Sequence, residues 1–502
     1  MSRIRRVGPP FRKILIANRG EIAVRIARTC RAMGILTVAA YSEADRDAPH
    51  VREADEGVLI GPAEAARSYL AIDTLLAAAE RSGADALHPG YGFLSQNGDF
   101  ADRVASAGLA FIGPPGRVHR LMGDKKGARR LMAAAGVPVV PGYDGDDQTD
   151  RALLAEATAL GWPLLIKPSR GGGGKGLRVV GRPEEFPSSL AASRREARAA
   201  FGDDTVVLER FLARPRHVEV QVLGDGEGTL LHLFERECSI QRRHQKVVEE
   251  SPSTALDPAA RLALCEAGLA AARAVGYVNA GTVEFLLDRS GSFYFLEMNT
   301  RLQVEHAVTE MTLGLDLVRL QIEIAAGRPL PFAQGDVISR GHSLECRLYA
   351  EDPWNDDLPA SGRVLVLAAP EGPGVRFDSG VAQGTPVTVH YDPLLAKVIT
   401  WGRERSESIA RMEAALLKTA VLGVETNLSR LRAILRHEAF RRGDLHTGFL
   451  EEHFKGSTPD PPPALAVAAA AAALDPLWRG KGEGPRLRVS DPWDRVGPWR
   501  LS

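Results

Sequence analysis

Residues 281–306 read GTVEFLLDRSGSFYFLEMNTRLQVEH, two strand-like runs flanking the turn-prone residues Asp288, Arg289, Ser290 and Gly291. The pattern predicts a β-hairpin. Pairing Leu287 with Ser292 across the turn places Glu284 opposite Phe295 and diagonal to Glu297, on one face of the sheet. Beyond Glu297 the alternation continues through Asn299, Arg301, Gln303 and Glu305, with Met298, Thr300, Leu302 and Val304 between them, so one edge of the chain is continuously polar. Such a row is costly to bury without ligands. Two converging carboxylates fit a Mg²⁺ site, because a hard cation takes one or two carboxylates and completes its shell with water and nucleotide phosphate. A merely solvated face would favour Lys, Ser and Thr over three Glu beside Arg, Asn and Gln.

A chain of 502 residues is long enough for three or four domains. Its 44% hydrophobic and 25% charged content is ordinary for a soluble fold, and 63 basic against 63 acidic residues leave no net field to attract nucleic acid. Cys30, Cys238, Cys265 and Cys346 are far apart and form no CxxC, so neither a disulfide framework nor a zinc knuckle is expected. A reducing cytoplasm fits that usage. No apolar run approaches the roughly 18 to 20 residues that span a bilayer, and MSRIRRVGPP lacks a signal-peptide core and reads as a disordered tail over residues 1–10.

Taken in order, Lys13 to Ala17 reads as a strand feeding a helix with Ile22, Ile26, Cys30 and Met33 on one face and a Gly34 cap, followed by a strand from Leu36 to Tyr41. The βαβ turn lacks GxGxxG, which argues against a dinucleotide site. HPGYGFLSQN puts His88, Tyr91 and Gln96 on a loop at a strand's carboxyl end, where open α/β sheets bind ligands; an ordinary tight turn is the competing reading. LMGDKKGARRLMAAAGVPVVPGY predicts a short helix ending at Gly136, with a domain boundary near residue 140. PLLIKPSRGGGGKGLRVV then gives a strand ending in Lys167, a loop of Gly171, Gly172, Gly173, Gly174 and Lys175, and a return strand from Leu177. Without Cβ atoms that loop can bring backbone N–H groups onto phosphate oxygens, although no GK[ST] opens a helix as in a P-loop. Between residues 204 and 250 the chain is strand-rich, and Arg242, Arg243, His244 and Lys246, bracketed by Glu235, Glu237, Glu249 and Glu250, read as a local oxyanion pocket. Helices are expected at Pro258 to Val275 and Asp316 to Ala326, then a strand-rich unit from Gly341 and helices from Glu404.

With these motifs in hand the chain resembles biotin carboxylase, of the ATP-grasp superfamily, over about residues 11–455: ANRGEIA, HPGYGFLS, RGGGGKG, PRHVEVQVLGDG, QRRHQKVVEE and EMNTRLQVEH occur in order. The resemblance implies an α/β fold: an N-terminal doubly wound domain (11–139), an ATP-grasp lid (140–212) and core (213–340), and a C-terminal α+β domain (341–455). It implies ATP-driven phosphorylation of bicarbonate to carboxyphosphate, then carboxyl transfer to biotin on a carrier. Glu284, Glu297 and Asn299 would hold Mg²⁺ or Mn²⁺, and Lys125, Lys167 and the four glycines the phosphates. Glu209, Leu212, His217, Gln241 and His244 would frame the nucleotide. Lys246, Arg301, Gln303 and Val304 would bind bicarbonate, Glu305 would be the base, Arg347 would stabilise the biotin oxyanion and Tyr91 would lie near biotin.

RGGGGKG, TRLQVEH and HYDPLLAK look most like the corresponding part of acyl-CoA carboxylase α subunits, with 3-methylcrotonyl-CoA the first substrate expected and propionyl- or acetyl-CoA next. A biotin carrier, a carboxyltransferase subunit and a homo-oligomer are the partners implied, with no nucleic acid or membrane. Another ATP-grasp ligase, or an inactive scaffold subunit, is the alternative. Arg210, Gln96 and Ala307 depart from residues frequent in the family, and Ala307 is expected to loosen the segment holding Glu305. No methionine adjoins a lysine, so this chain is expected to carry no biotin of its own, and residues 456–502 read as a linker and the start of a subunit-docking region, with Trp478, Trp493 and Trp499 as a partner surface or part of a disordered tail.

Overall fold

The computed structural model describes residues 8–169 and 176–457. Gly171 to Gly174 and Lys175, most of the expected N-terminal tail, and the segment bearing Trp478, Trp493 and Trp499 lie outside the described residues.

Five parallel strands open the chain, in the spatial order Glu56–Gly61, Leu36–Ser42, Lys13–Ile16, Ala86–His88 and Ala110–Phe111. The first strand in sequence is central and has neighbours on both sides, so the order reverses at its carboxyl end. Asn18 stands there. Its amide donates to the carbonyls of Pro89 and Tyr91, each at 2.7 Å, and fixes the loop that carries Tyr91. Gly90 is required at that turn: its φ is +62°, and a Cβ would meet the Asn18 amide at 2.9 Å.

The helix expected before Gly136 is two helices, Gly116–Gly123 and Lys125–Ala134, because Asp124 adopts extended backbone (φ −87°, ψ 99°) between them. Lys125 therefore begins a helix. A four-stranded sheet follows, ordered Gly142–Tyr143, Val206–Arg210, Leu164–Pro168 and Arg178–Val180, and backed by the helices Asp150–Leu160 and Phe186–Phe201. Leu153, Leu164, Ile166, Phe186, Val206 and Leu208 form its core.

The largest sheet has eight strands: Phe293–Asn299, Asn279–Leu287, Arg216–Gly224, Leu230–Arg242, Gln245–Ser251, His342–Tyr349, Leu394–Gly402 and Val375–Ser379. Strands from both sides of residue 340 share it, joined where Glu249 pairs with Glu345. One face is apolar. Val218, Val220, Val222 and Phe285 pack with Leu264 and Leu269 of the helix Pro258–Ala274, and Leu344, Leu348 and Val398 pack with the C-terminal helices. On the other face Glu219, Gln221, Arg236, Glu249, Glu345, Arg347 and Lys397 are all buried. A sheet buried on both sides, with one side lined by charges, is unfavourable unless each charge finds a partner or a ligand.

The hairpin forms, with a corrected register. Leu287 pairs with Phe293 rather than Ser292, and a bulge at Leu296 shifts the pairing so that Glu284 stands directly opposite Glu297. Unbroken pairing from Leu287 and Phe293 would put Leu296 opposite Glu284 and turn Glu297 to the other face; the bulge brings the two carboxylates together. All four cysteines are buried and free, and among the described residues no helix is long and apolar enough to cross a membrane.

Candidate active site

Lys246 is the centre of the polar face. Its ammonium donates to Glu219 Oε2 at 2.5 Å, Glu284 Oε1 at 2.9 Å and Glu305 Oε1 at 2.6 Å. Each carboxylate then has a second cation or amide. Arg236, fully buried, donates through Nε to Glu219 Oε1 at 2.5 Å and through its remaining nitrogens to Gln221, Thr282 and Thr309. Arg347 bridges Glu249 Oε1 (2.5 Å) and Glu305 Oε2 (2.9 Å). Glu284 accepts from Asn299 and Gln303, both at 2.8 Å, and His217 Nε2 lies 2.9 Å from it. Arg301 donates to Gln303 at 2.7 Å and Asn299 at 3.1 Å.

The electrostatics follow from this interleaving. Burial pushes the Glu305 carboxyl up, but Lys246 and Arg347 outweigh it and hold it well below the usual carboxylate range. Glu284 is held low in the same way, burial being overcome by Lys246 and His217. Burial disfavours the Lys246 ammonium, yet the surrounding anions raise its pKa well above the ordinary lysine value. Both Glu305 and Lys246 are therefore charged at neutral pH.

The hairpin also supplies a metal donor set. Glu297 is exposed opposite Glu284 and makes no hydrogen bond or ion pair among the described residues. Two carboxylates and the Asn299 amide oxygen, all hard oxygen donors, fit Mg²⁺.

The expected nucleotide residues lie around this centre. Lys167 forms an ion pair with Glu209, which Arg129 also approaches at 3.6 Å. Gln241 donates to the Cys238 carbonyl and lies 3.4 Å from His217 Nδ1. Leu212 just follows the strand ending at Arg210, whose guanidinium donates to the Tyr294 hydroxyl at 2.8 Å. Lys125 and His244 are exposed, His244 at a hairpin turn in which it and Arg243 both have positive φ.

The expected basic pocket is corrected. Arg242 pairs with Glu351 and Arg243 with Asp356, each at 2.7 Å, so only Lys246 enters the site. The bracketing acids also separate: Glu249 holds Arg347, whereas Glu250 takes His342 and Arg405. The turn and the strand alternation send neighbours to opposite faces. Gln96 accepts from Arg301 Nε at 2.8 Å, and Ala307 is sealed in a small core inside the helix His306–Leu313. Glu305, just before that helix, accepts from Lys246 and Arg347. Sequence pattern does not single out Glu219 and Arg236 as site residues, and marks Glu249 only as one of four bracketing acids; polar residues alternating with valines in HVEVQV are the available signal for the first.

Three family models match in sequence order: the biotin carboxylase N-terminal domain over residues 10–118, the carbamoyl-phosphate synthase L chain ATP-binding domain over 124–333, and the biotin carboxylase C-terminal domain over 345–452. The chain is 51% identical over 444 residues to the mitochondrial methylcrotonoyl-CoA carboxylase subunit alpha of Arabidopsis thaliana, covering 88% of this chain and 60% of that one. It thus spans less than two thirds of the length of that relative, and 63% of the counterpart from Rattus norvegicus. A biotin carboxylase of Nostoc sp. is 50% identical over 442 residues, 88% of this chain and 99% of that one. Among solved structures, a biotin carboxylase complex from Campylobacter jejuni matches with TM-score 0.85 at 43% identity, covering 88% and 99% of the two chains. The biotin carboxylase domain of Hydrogenobacter thermophilus 2-oxoglutarate carboxylase, in complex with MgADP, ADP and bicarbonate, matches with TM-score 0.84 at 44% identity, covering 88% and 98%.

Proposed function

The chain belongs to the biotin carboxylase family, and from that premise we propose that its polar sheet face activates bicarbonate with ATP and passes the carboxyl group to biotin. The observation that carries this reading is the buried set Lys246, Glu305 and Arg347 set beside the carboxylates of Glu284 and Glu297.

Lys167, Lys125 and the glycine loop receive the nucleotide phosphates, with Glu209, Leu212, His217, Gln241 and His244 around the rest of the nucleotide. Glu284, Glu297 and Asn299 would hold Mg²⁺, which would supply charge neutralisation at the phosphates. Lys246, Arg301, Gln303 and the Val304 backbone hold bicarbonate next to Glu305. The base is weak while Lys246 and Arg347 grip it. As bicarbonate draws those cations to its own oxygens, the burial that remains pushes Glu305 up, and the carboxylate becomes able to take the bicarbonate proton. A bicarbonate oxygen then bonds to the γ-phosphorus as ADP leaves, giving carboxyphosphate. The C–O bond of carboxyphosphate then breaks, the released phosphate takes the N1 proton of biotin, and Arg347 stabilises the resulting ureido oxyanion, near Tyr91, while N1 bonds to the freed carboxyl carbon.

Three further points extend this reading. The full assembly includes a biotin carrier domain or protein and a carboxyltransferase, with 3-methylcrotonyl-CoA as acceptor and propionyl- or acetyl-CoA next. The chain self-associates and works in the cytoplasm, where four unpaired buried cysteines are at home. The parts at 11–139, 140–212, 213–340 and 341–455 act as N-terminal, lid, core and C-terminal units.

Purified chain should release phosphate from ATP when Mg²⁺, bicarbonate and free biotin are all present, and a rate indifferent to biotin would favour another ATP-grasp ligase. Replacing Glu297 by alanine should raise the Mg²⁺ concentration for half-maximal rate by about 10- to 100-fold. An unchanged Mg²⁺ titration would remove the hairpin from the metal site.

A further inference from the structure

Lys397 is a fully buried lysine that the chemistry above does not use. It lies on the strand Leu394–Gly402, opposite Arg347 in register and on the same polar face. Its ammonium donates to the Val304 backbone carbonyl and lies 3.3 Å from Glu21 Oε1. Asp378, its register partner on the other side, is taken by Arg376 at 2.6 Å. Glu21 belongs to the first turn of the helix Gly20–Ala32, is 4% exposed, and accepts the Tyr91 hydroxyl on the oxygen that faces Lys397. A continuous polar chain thus runs from Tyr91 through Glu21 and Lys397 to the peptide that joins Val304 to Glu305. It links segments that lie far apart in sequence.

A buried ammonium is retained against its desolvation only where its partners are fixed. A charge-assisted bond to one carbonyl fixes a peptide plane, and the plane after Val304 sets where Glu305 begins. Glu305 is also the residue from which the helix His306–Leu313 starts, so a shift there moves the base relative to Lys246 and Arg347. Misplacement by about 1 Å is worth about 10²-fold in rate.

We propose that Lys397 is a positioning residue that holds the bicarbonate turn through the Val304 carbonyl, and that Glu21 connects it to Tyr91, so that a ureido ring resting on Tyr91 tightens the geometry at Glu305. The inference rests on the biotin carboxylase reading, since it needs Tyr91 on the biotin side and Glu305 on the bicarbonate side. Lys397 touches neither substrate.

The test is the paired variant Glu21→Gln/Lys397→Met, which removes both charges of the ion pair together and leaves Arg347 as the cation beside the neighbouring buried Glu345. ATP cleavage is measured against bicarbonate with and without free biotin, beside the unaltered chain. The expected result is a bicarbonate KM raised by about tenfold or more and a reduced acceleration by biotin, with the KM for ATP near that of the unaltered chain. A merely structural role would lower thermal stability and leave bicarbonate KM and the response to biotin in place; that result overturns the proposal. If the paired variant does not fold, Tyr91→Phe decides, because it removes the hydroxyl bond to Glu21 without changing a bicarbonate residue: a bicarbonate KM equal to that of the unaltered chain, measured without biotin, overturns the proposal, and a raised one supports it. If the unaltered chain cleaves ATP with no dependence on biotin, the functional reading itself fails and the inference with it.

Discussion

Replacing Glu305 by glutamine should lower biotin-dependent ATP cleavage by about 10² to 10⁴ while leaving ATP binding nearly unchanged. Glutamine keeps the size of the side chain and two hydrogen-bonding atoms, so the change is one of charge and basicity. What is lost is the proton acceptor. Glu305 contacts Lys246, Arg347 and Cys238, none of which is among Lys125, Lys167 and Glu209 of the nucleotide set. Steady-state rates and a direct ATP-binding titration on the same preparation separate the two effects. Wild-type turnover in the variant would take Glu305 out of the mechanism.

Replacing Arg236 by methionine should destabilise the fold by about 3 to 5 kcal/mol. Arg236 is fully buried, and Glu219, Gln221, Thr282 and Thr309 all take its hydrogen bonds. Methionine fills the space but donates nothing, so burial pushes Glu219 further up with Lys246 as its remaining hydrogen-bonded cation, and Gln221, Thr282 and Thr309 lose their donor. Thermal unfolding of the variant beside the parent reads the loss. Removing the charge as well, in Glu219→Gln/Arg236→Met, should restore part of it. An unchanged midpoint in the single variant would show that the polar face does not depend on this pairing.

These two residues also differ in how far the sequence makes them legible. Glu305 ends an alternation that is local and uninterrupted, and the same periodicity marks Glu284, Glu297, Asn299, Arg301 and Gln303. Arg236 carries no such mark. It sits in FERECSIQRRH among several charges, and only the pairing of Glu219 with Arg236 across two strands shows which of them shares a carboxylate with Lys246. Lys397 in LLAKVITWG is similar: one lysine in an apolar run reads as an exposed strand position until a second buried layer is placed over it. Strand pairing at long separation decides such cases, and it is not written in local periodicity. The register error has a smaller cause. Leu296 is an ordinary strand residue, and nothing in its type marks the bulge that places Glu284 opposite Glu297. The resemblance sets a boundary at residue 340, and the strand His342–Tyr349 continues the sheet beside Gln245–Ser251 across it. Backbone hydrogen bonding there carries Arg347 into the same site as Lys246.

If this polar face makes carboxybiotin, the product itself can be counted. The purified chain is incubated with ATP, Mg²⁺, radiolabelled bicarbonate and free biotin, and the acid-labile label recovered with biotin is measured. ATP-dependent label on biotin is expected with the unaltered chain, and its loss in the Glu305→Gln variant. Phosphate release without label on biotin, or label that appears equally without ATP, would contradict the assignment.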